Sequence, residues 1–176
     1  MDEPSDRLIN LFGALVQGVE DRIQAATMAG MALGGEAAAA IIVIGHGASL
    51  SINQLARVLR LSHPGTVRLV DRLANAGFAQ RNVAPHDRRV VVLTLTNHGR
   101  TERQVLLERR HKALAAILQA TTPADRVVLE RVAETLLPTL SVDATSALTV
   151  CRFCNEQKCT GCPMELFGSI PTAPVL

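Results

Sequence analysis

The sequence predicts a mainly α fold: a winged helix-turn-helix with a two-stranded β wing, carried by a helical dimerisation domain. Three observations predict it. Residues 51–96, SINQLARVLRLSHPGTVRLVDRLANAGFAQRNVAPHDRRVVVLTLT, divide into two short amphipathic helices, a Gly break, a strand, a charged turn and a second strand. Long stretches on either side repeat apolar residues at three- and four-residue spacing. Residues 51–112 hold 12 Lys and Arg against 4 Asp and Glu, although the 176-residue chain carries a net charge of only +2.

The elements follow in order. Leu8, Leu11, Phe12, Leu15, Val16, Val19 and Ile23 form one stripe, predicting an amphipathic helix from Asp6 to about Met28 with Ser5 as its N-cap. Glu36 to Gly45 is almost wholly apolar, so a short helix buried on all sides is expected, closed by His46-Gly47-Ala48. Ser51 caps the next helix, with Ile52, Leu55, Ala56, Val58 and Leu59 facing inward and Arg60-Leu61 as the turn. Ser62 caps the following one, where Pro64 sits in the first turn at little cost and Val67, Leu69, Val70 and Leu73 give the core face. Asn75-Ala76-Gly77 ends it. Strands are expected at 78–83 and 90–96, bracketing the tip Ala84-Pro85-His86-Asp87-Arg88-Arg89. A long helix from Asn97 to about Ala120 buries Val105, Leu106, Leu114, Ile117 and Leu118. Another starts at Thr122-Pro123 and runs to about Leu140. The organisation is therefore a first dimerisation helix at 1–35, the winged unit at 36–96, further dimerisation helices at 97–145, and a cysteine-bearing segment with its tail at 146–176, poorly ordered after about Gly168.

Composition excludes some functions. Aromatic residues make up 2% of the chain, with no Trp and no Tyr, so stacking of single-stranded bases on rings is not expected. The run 37–45 is too short to span a bilayer, and the start, MDEPSDR, is acidic, unlike a signal peptide. A cytosolic protein without a membrane partner is expected. There is no Gly-rich phosphate loop, no nucleophile–base pattern and no paired carboxylate setting, so no enzyme is expected.

The basic block has a use in the order of its elements. A helix entering the major groove of double-stranded DNA needs small or polar residues at its N-terminal end. Ser62, His63, Gly65, Thr66 and Arg68 meet that need, with Ser51 capping the preceding helix toward the same backbone. Arg68 offers a fork to guanine. Arg72 suits phosphate, or a carboxylate such as Asp71 on its own helix. Arg88 and Arg89 at the wing tip suit the adjacent minor groove, with Asp87 holding one of them. Singly, each arginine could merely solvate a surface; jointly, with the local charge, they point to duplex DNA.

Residues from about Asp6 to Leu140 resemble the MarR family of winged-helix transcriptional regulators, through INQLARVLRLSHPGTVRLVDRLANAGFAQR, DRRVVVLTLTNHGR and the two helices that follow. The resemblance implies a homodimer whose outer helices interlock and whose recognition helices enter successive major grooves of a palindromic operator, most often as a repressor. It also implies a possible small-molecule effector between the dimer helices and the winged unit. The lining here would be Met28, Met31, Ile42 and Val43, with His46 as the polar candidate.

A second feature lies outside that resemblance. Cys151-Arg-Phe-Cys154-Asn-Glu-Gln-Lys-Cys159-Thr-Gly-Cys162-Pro places two C-x-x-C pairs four residues apart. In a reducing compartment such density predicts metal ligation rather than disulfides. An iron–sulfur cluster fits the compact run and its Cys-Pro ending, and would make the protein a sensor of redox state, oxygen or iron. A four-thiolate Zn²⁺ site is the alternative, purely structural beside a small-molecule-responsive repressor. Reversible thiol switching, or a thiol-dependent redox enzyme, are the remaining readings.

Overall fold

The computed structural model describes residues 3–31, 33–47, 50–84 and 87–170, the side chains of 87–89 excepted. Helix α1 (Asp6–Met28) begins where Ser5 Oγ accepts from the Leu8 amide. Helix α2 (Gly35–Ile44) has eight buried residues, Ala37 through Ile44. It forms the centre of the core, and each fully buried isoleucine contributes roughly 1.5–3 kcal/mol by leaving water. Helices α3 (Ile52–Leu59) and α4 (His63–Asn75) follow, their inner faces supplied by Leu55, Val58, Leu69, Val70 and Leu73. The link between them turns at Arg60, whose φ of 55° makes it the one non-glycine residue with positive φ among those described.

Gly77, at φ 75°, ends α4 and starts the wing. Strands β1 (Ala79–Ala84) and β2 (Asp87–Leu95) pair antiparallel from Ala79 opposite Leu95 to Val83 opposite Val91, with an irregularity before Ala84. The wing is tied to the core by the Leu93 amide, which donates to Leu50 O at 2.8 Å. The first strand therefore starts one residue later than expected and the second three residues earlier. Phe78 does not pair as a strand residue; its ring stacks on His98 at 4.7 Å, and its carbonyl accepts from the Thr96 amide. Helix α5 (Asn97–Leu118) starts there under a Thr96 cap. The approach is so close that a Cβ on Gly99 would lie 1.8 Å from Phe78 O, so this position requires glycine.

Helix α1 packs along α5, and α2 packs on both α3 and α5. Helix α6 (Pro123–Leu136) begins with a reciprocal Thr122–Asp125 capping box and passes into a 3-10 turn at Leu137–Leu140. None of its residues is buried. The expected burial along α5 is met at Leu106 only: Val105, Leu114 and Ile117 are half-buried and Leu118 is exposed. Leu118 and the large aliphatic residues of α6 are left exposed by the described residues of the chain.

A seventh helix, α7 (Ala144–Val150), was not expected. Asp143 caps it in another reciprocal box with Ser146. It packs against α3 of the same chain, and Leu148 and Phe153 reach the core cluster. The boundary expected at 145/146 falls inside this helix, and the cysteine segment packs on α3 and bonds to α5 of the same chain.

Candidate DNA interface and cysteine site

The N-terminal end of α4 is built by a cap. Ser62 Oγ accepts from the Gly65 amide at 3.2 Å, which satisfies one of the free amides of the first turn. Ser62, His63, Arg68 and Arg72 are exposed, and Gly65 is half-buried. Thr66 is different. It is fully buried, and its Oγ1 donates to Ser62 O at 3.0 Å. This corrects the expectation that Thr66 reads DNA: position 66 lies on the core side of the helix, and its hydroxyl is used within the first turn. Ser51 is likewise committed to structure, since its Oγ accepts from the Gln54 amide and its own amide donates to Gln54 Oε1.

Arg72 does not hold Asp71. The Asp71 carboxylate accepts instead from Arg81 Nη2 of β1 at 2.7 Å, a pair that fixes the wing against α4. Adjacent helix residues point about 100° apart, so Asp71 and Arg72 do not face each other, while Arg81 on the neighbouring strand reaches Asp71. That leaves Arg68 and Arg72 exposed on the outer side of α4. Arg88 and Arg89 lie on β2 near the wing turn; their side chains, and that of Asp87, lie outside the described residues, as do Pro85 and His86.

Of the residues expected to line an effector site, Met28 is exposed and Met31 half-buried. Ile42 and Val43 are completely buried in the core. His46 Nε2 meets Cys154 O at 3.2 Å and Glu156 Oε2 at 3.4 Å. Burial lowers the pKa of this imidazole, opposed by the Glu156 charge.

That contact leads to the cysteines. All four line one cavity of about 480 Å³, together with His46, Arg110 and Met164. They are arranged as two close pairs. A tight turn, Cys154 N to Cys151 O at 2.7 Å, brings the first two sulfurs together. The Cys151 thiol hydrogen-bonds to Cys154, which pushes Cys151 well above the usual thiol range. The same bond, assisted by the Arg110 charge against the opposing effect of burial, brings Cys154 down to about 6. Gly161 turns the second pair at φ 66°. Partial desolvation and a bond to Cys162 raise Cys159 to about 11. Among the described residues, no three metal-ligating side chains converge on a single point.

Between the pairs stands a residue that sequence reasoning missed. Glu156 Oε2 accepts from Arg103 Nη2 at 2.5 Å, and the Arg103 side chain is only 4% exposed. Arg103 Nε also donates to Ile42 O of α2 at 3.2 Å. An arginine on an amphipathic helix reads as solvent-facing, and only a distant carboxylate explains its burial.

A helix-turn-helix with a short, anchored wing and exposed arginines on its second helix defines a winged-helix fold. Residues 33–90 match the model of the MarR family. An uncharacterized HTH-type transcriptional regulator of Bacillus subtilis strain 168, YfiV, is 28% identical over 86 residues, 49% of this chain and 54% of the relative, so the match spans about half of that protein. A MarR family protein from Bacillus stearothermophilus superposes with a TM-score of 0.68 at 21% identity, covering 78% of this chain and 98% of that one. FabT of Streptococcus pneumoniae, solved in complex with DNA, gives 0.62 at 22% identity over 76% and 95%. Among the described residues, no helix is long and apolar enough to cross a membrane.

Proposed function

We propose that this chain is a site-specific transcriptional regulator that binds double-stranded DNA as a homodimer, in the manner of a repressor. The observation that carries the reading is the exposed polar N-terminal end of α4, with Arg68 and Arg72 on the outside of a capped, core-anchored helix. The basic block supports it, because cationic groups held on a rigid scaffold release counterions from a duplex. A fold shared with FabT, which was solved on DNA, supports it as well.

The outer helices support the dimeric part of this reading. Leu8, Leu11, Phe12 and Leu15 of α1, and Val127, Val128 and Val132 of α6, are each at least 41% exposed. Exposed large apolar side chains in that number on two helices point to an interaction face. A two-fold dimer then presents two recognition helices to a palindromic site. The reading gives the protein no catalytic role.

The test is selection of a binding site from a random duplex library, followed by titration of the selected duplex at several salt concentrations. An inverted repeat is expected. Arg68→Ala should lose about 1–3 kcal/mol of binding and relax the preference at one base pair per half-site. Unchanged affinity, sequence preference and salt slope in that variant would remove Arg68 from the interface.

A further inference from the structure

The cysteine segment is a built cradle with sulfur donors on one side and, on the other, an arginine with one buried nitrogen lacking a partner. Helix α7 is fixed on α3, and Cys151 caps its C-terminal end, with the Cys151 amide donating to Ala147 O at 2.9 Å. The first sulfur pair is therefore placed by packing rather than by a free tail. The spacer is fixed as well. Asn155 Oδ1 caps the 3-10 turn Glu156–Lys158, and Glu156 is held by Arg103. The second pair faces the same cavity across the turn at Gly161, and Pro163 begins the 3-10 turn Pro163–Phe167 that closes the segment.

Arg110 borders this space. Its Nη2 lies 3.8 Å from Cys154 Sγ, while its Nε is buried with no hydrogen-bond partner among the described residues. A buried guanidinium nitrogen left without an acceptor is costly, and a thiolate-bound metal centre carrying net negative charge is an acceptor of the right sign.

We propose that Cys151, Cys154, Cys159 and Cys162 hold an iron–sulfur cluster of the two-iron type. One Zn²⁺ takes four sulfurs at about 2.3 Å in a tetrahedron, so all four must meet at one point. Here they stand as two pairs that share a cavity without such a meeting point. A two-iron cluster takes two thiolates at each iron, so each C-x-x-C serves one iron and the cavity between them holds the bridging sulfides. Arg110 balances the charge of the centre. Glu156, lying in the spacer, makes the buried Arg103 and the end of α2 dependent on the cradle's closed form.

The experiment uses the full chain purified under anaerobic conditions from iron-replete cells. Iron, acid-labile sulfide and zinc are measured alongside visible absorbance. Two irons and two sulfides per chain, with a coloured protein, are expected. Cys159→Ser and Cys162→Ser, tested separately, should lose the iron and colour while retaining the far-ultraviolet circular dichroism of the parent, because neither side chain belongs to the core. Arg110→Met should keep the iron in anaerobic protein but shift the reduction midpoint of the cluster. A colourless protein with one zinc per chain overturns the cluster. Absence of both metals, before and after anaerobic reconstitution with iron and sulfide, overturns the site itself. Iron retained in full by both serine variants does the same. None of these readouts involves DNA, so the failure of this site and the failure of the regulator reading are separately visible.

Discussion

Helices α2 and α6 are both short and both rich in aliphatic residues, yet α2 has eight of its ten residues buried and α6 has none of its 14. The difference lies in pattern more than in composition. In α2 the sequence GEAAAAIIVI is apolar around the whole circumference, so it is stable only when surrounded, and α3, α4, α5 and β2 surround it. In α6 the sequence PADRVVLERVAETL alternates charged and aliphatic positions, so one stripe needs cover and the rest needs water. Within its own chain α6 packs chiefly on the 3-10 turn that follows it. The lesson is that the wing and α4 rest on a core complete in one chain, while the outer helices hold an apolar face that the described residues of their own chain leave exposed.

The largest effect should come from breaking the complete half. Ile41 is fully buried, and Ile41→Ala removes three carbons from a site with no route to water. A loss of roughly 2–5 kcal/mol of unfolding free energy is expected from transfer and cavity terms together. Chemical denaturation measures it, and the loss should be the same at every protein concentration if the core is intrachain. A change below about 1 kcal/mol would mean that the helices around α2 collapse into the space.

The incomplete half should respond in the opposite manner. Phe12→Glu with Val128→Glu places charge on two half-exposed apolar positions of α1 and α6. Little change is expected in the helical content of the dilute protein. Light scattering should instead show a dimer converted to a monomer at micromolar concentration, because the charges must be buried for the faces to join. A variant that remains dimeric would place the subunit contact on another surface.

How much of this was legible in the sequence follows the same division. Helices α1, α3 and α4 were readable because caps and periodicity agree: Ser5, Ser51 and Ser62 all perform the bonds their positions imply. The face on which a polar residue lies was less readable. Thr66 sits among small polar residues, yet its place four positions after Ser62 turns it inward onto that residue's carbonyl. The strand limits shifted because Phe78 stacks on His98 instead of pairing, a contact between residues 20 apart. Helix α7 escaped notice because seven residues give no period; its one signal was the Asp143–Ser146 box. The spacing of the cysteines was plain, but their docking on α3 was not. A second tie, the long-range Glu156–Arg103 bond to α5, is equally invisible to any local pattern. For α5 and α6, periodicity identifies the apolar stripe without saying which chain covers it.

The smallest expected effect sharpens the comparison at the level of one cap. An uncovered helix depends more on its ends than a buried one, because nothing else holds its first turn. At the start of α6, hydrogen bonds from the Thr122 hydroxyl and amide hold the Asp125 carboxyl below its ordinary pKa of 3.8. The sign follows directly. A folded-state pKa below the unfolded one means the carboxylate stabilises fully above the ordinary value, and the contribution disappears as pH falls through the lowered one. Amide exchange in the first turn of α6 should therefore accelerate as pH falls below the ordinary carboxylate value of 3.8, beyond the intrinsic trend for exposed amides. In Asp125→Asn, which cannot ionise, that extra acceleration should vanish, while exchange within α2 should be the same in both proteins. Equal acid profiles in the two proteins would show that α6 is held by the covering of its apolar stripe and that its cap contributes nothing separable.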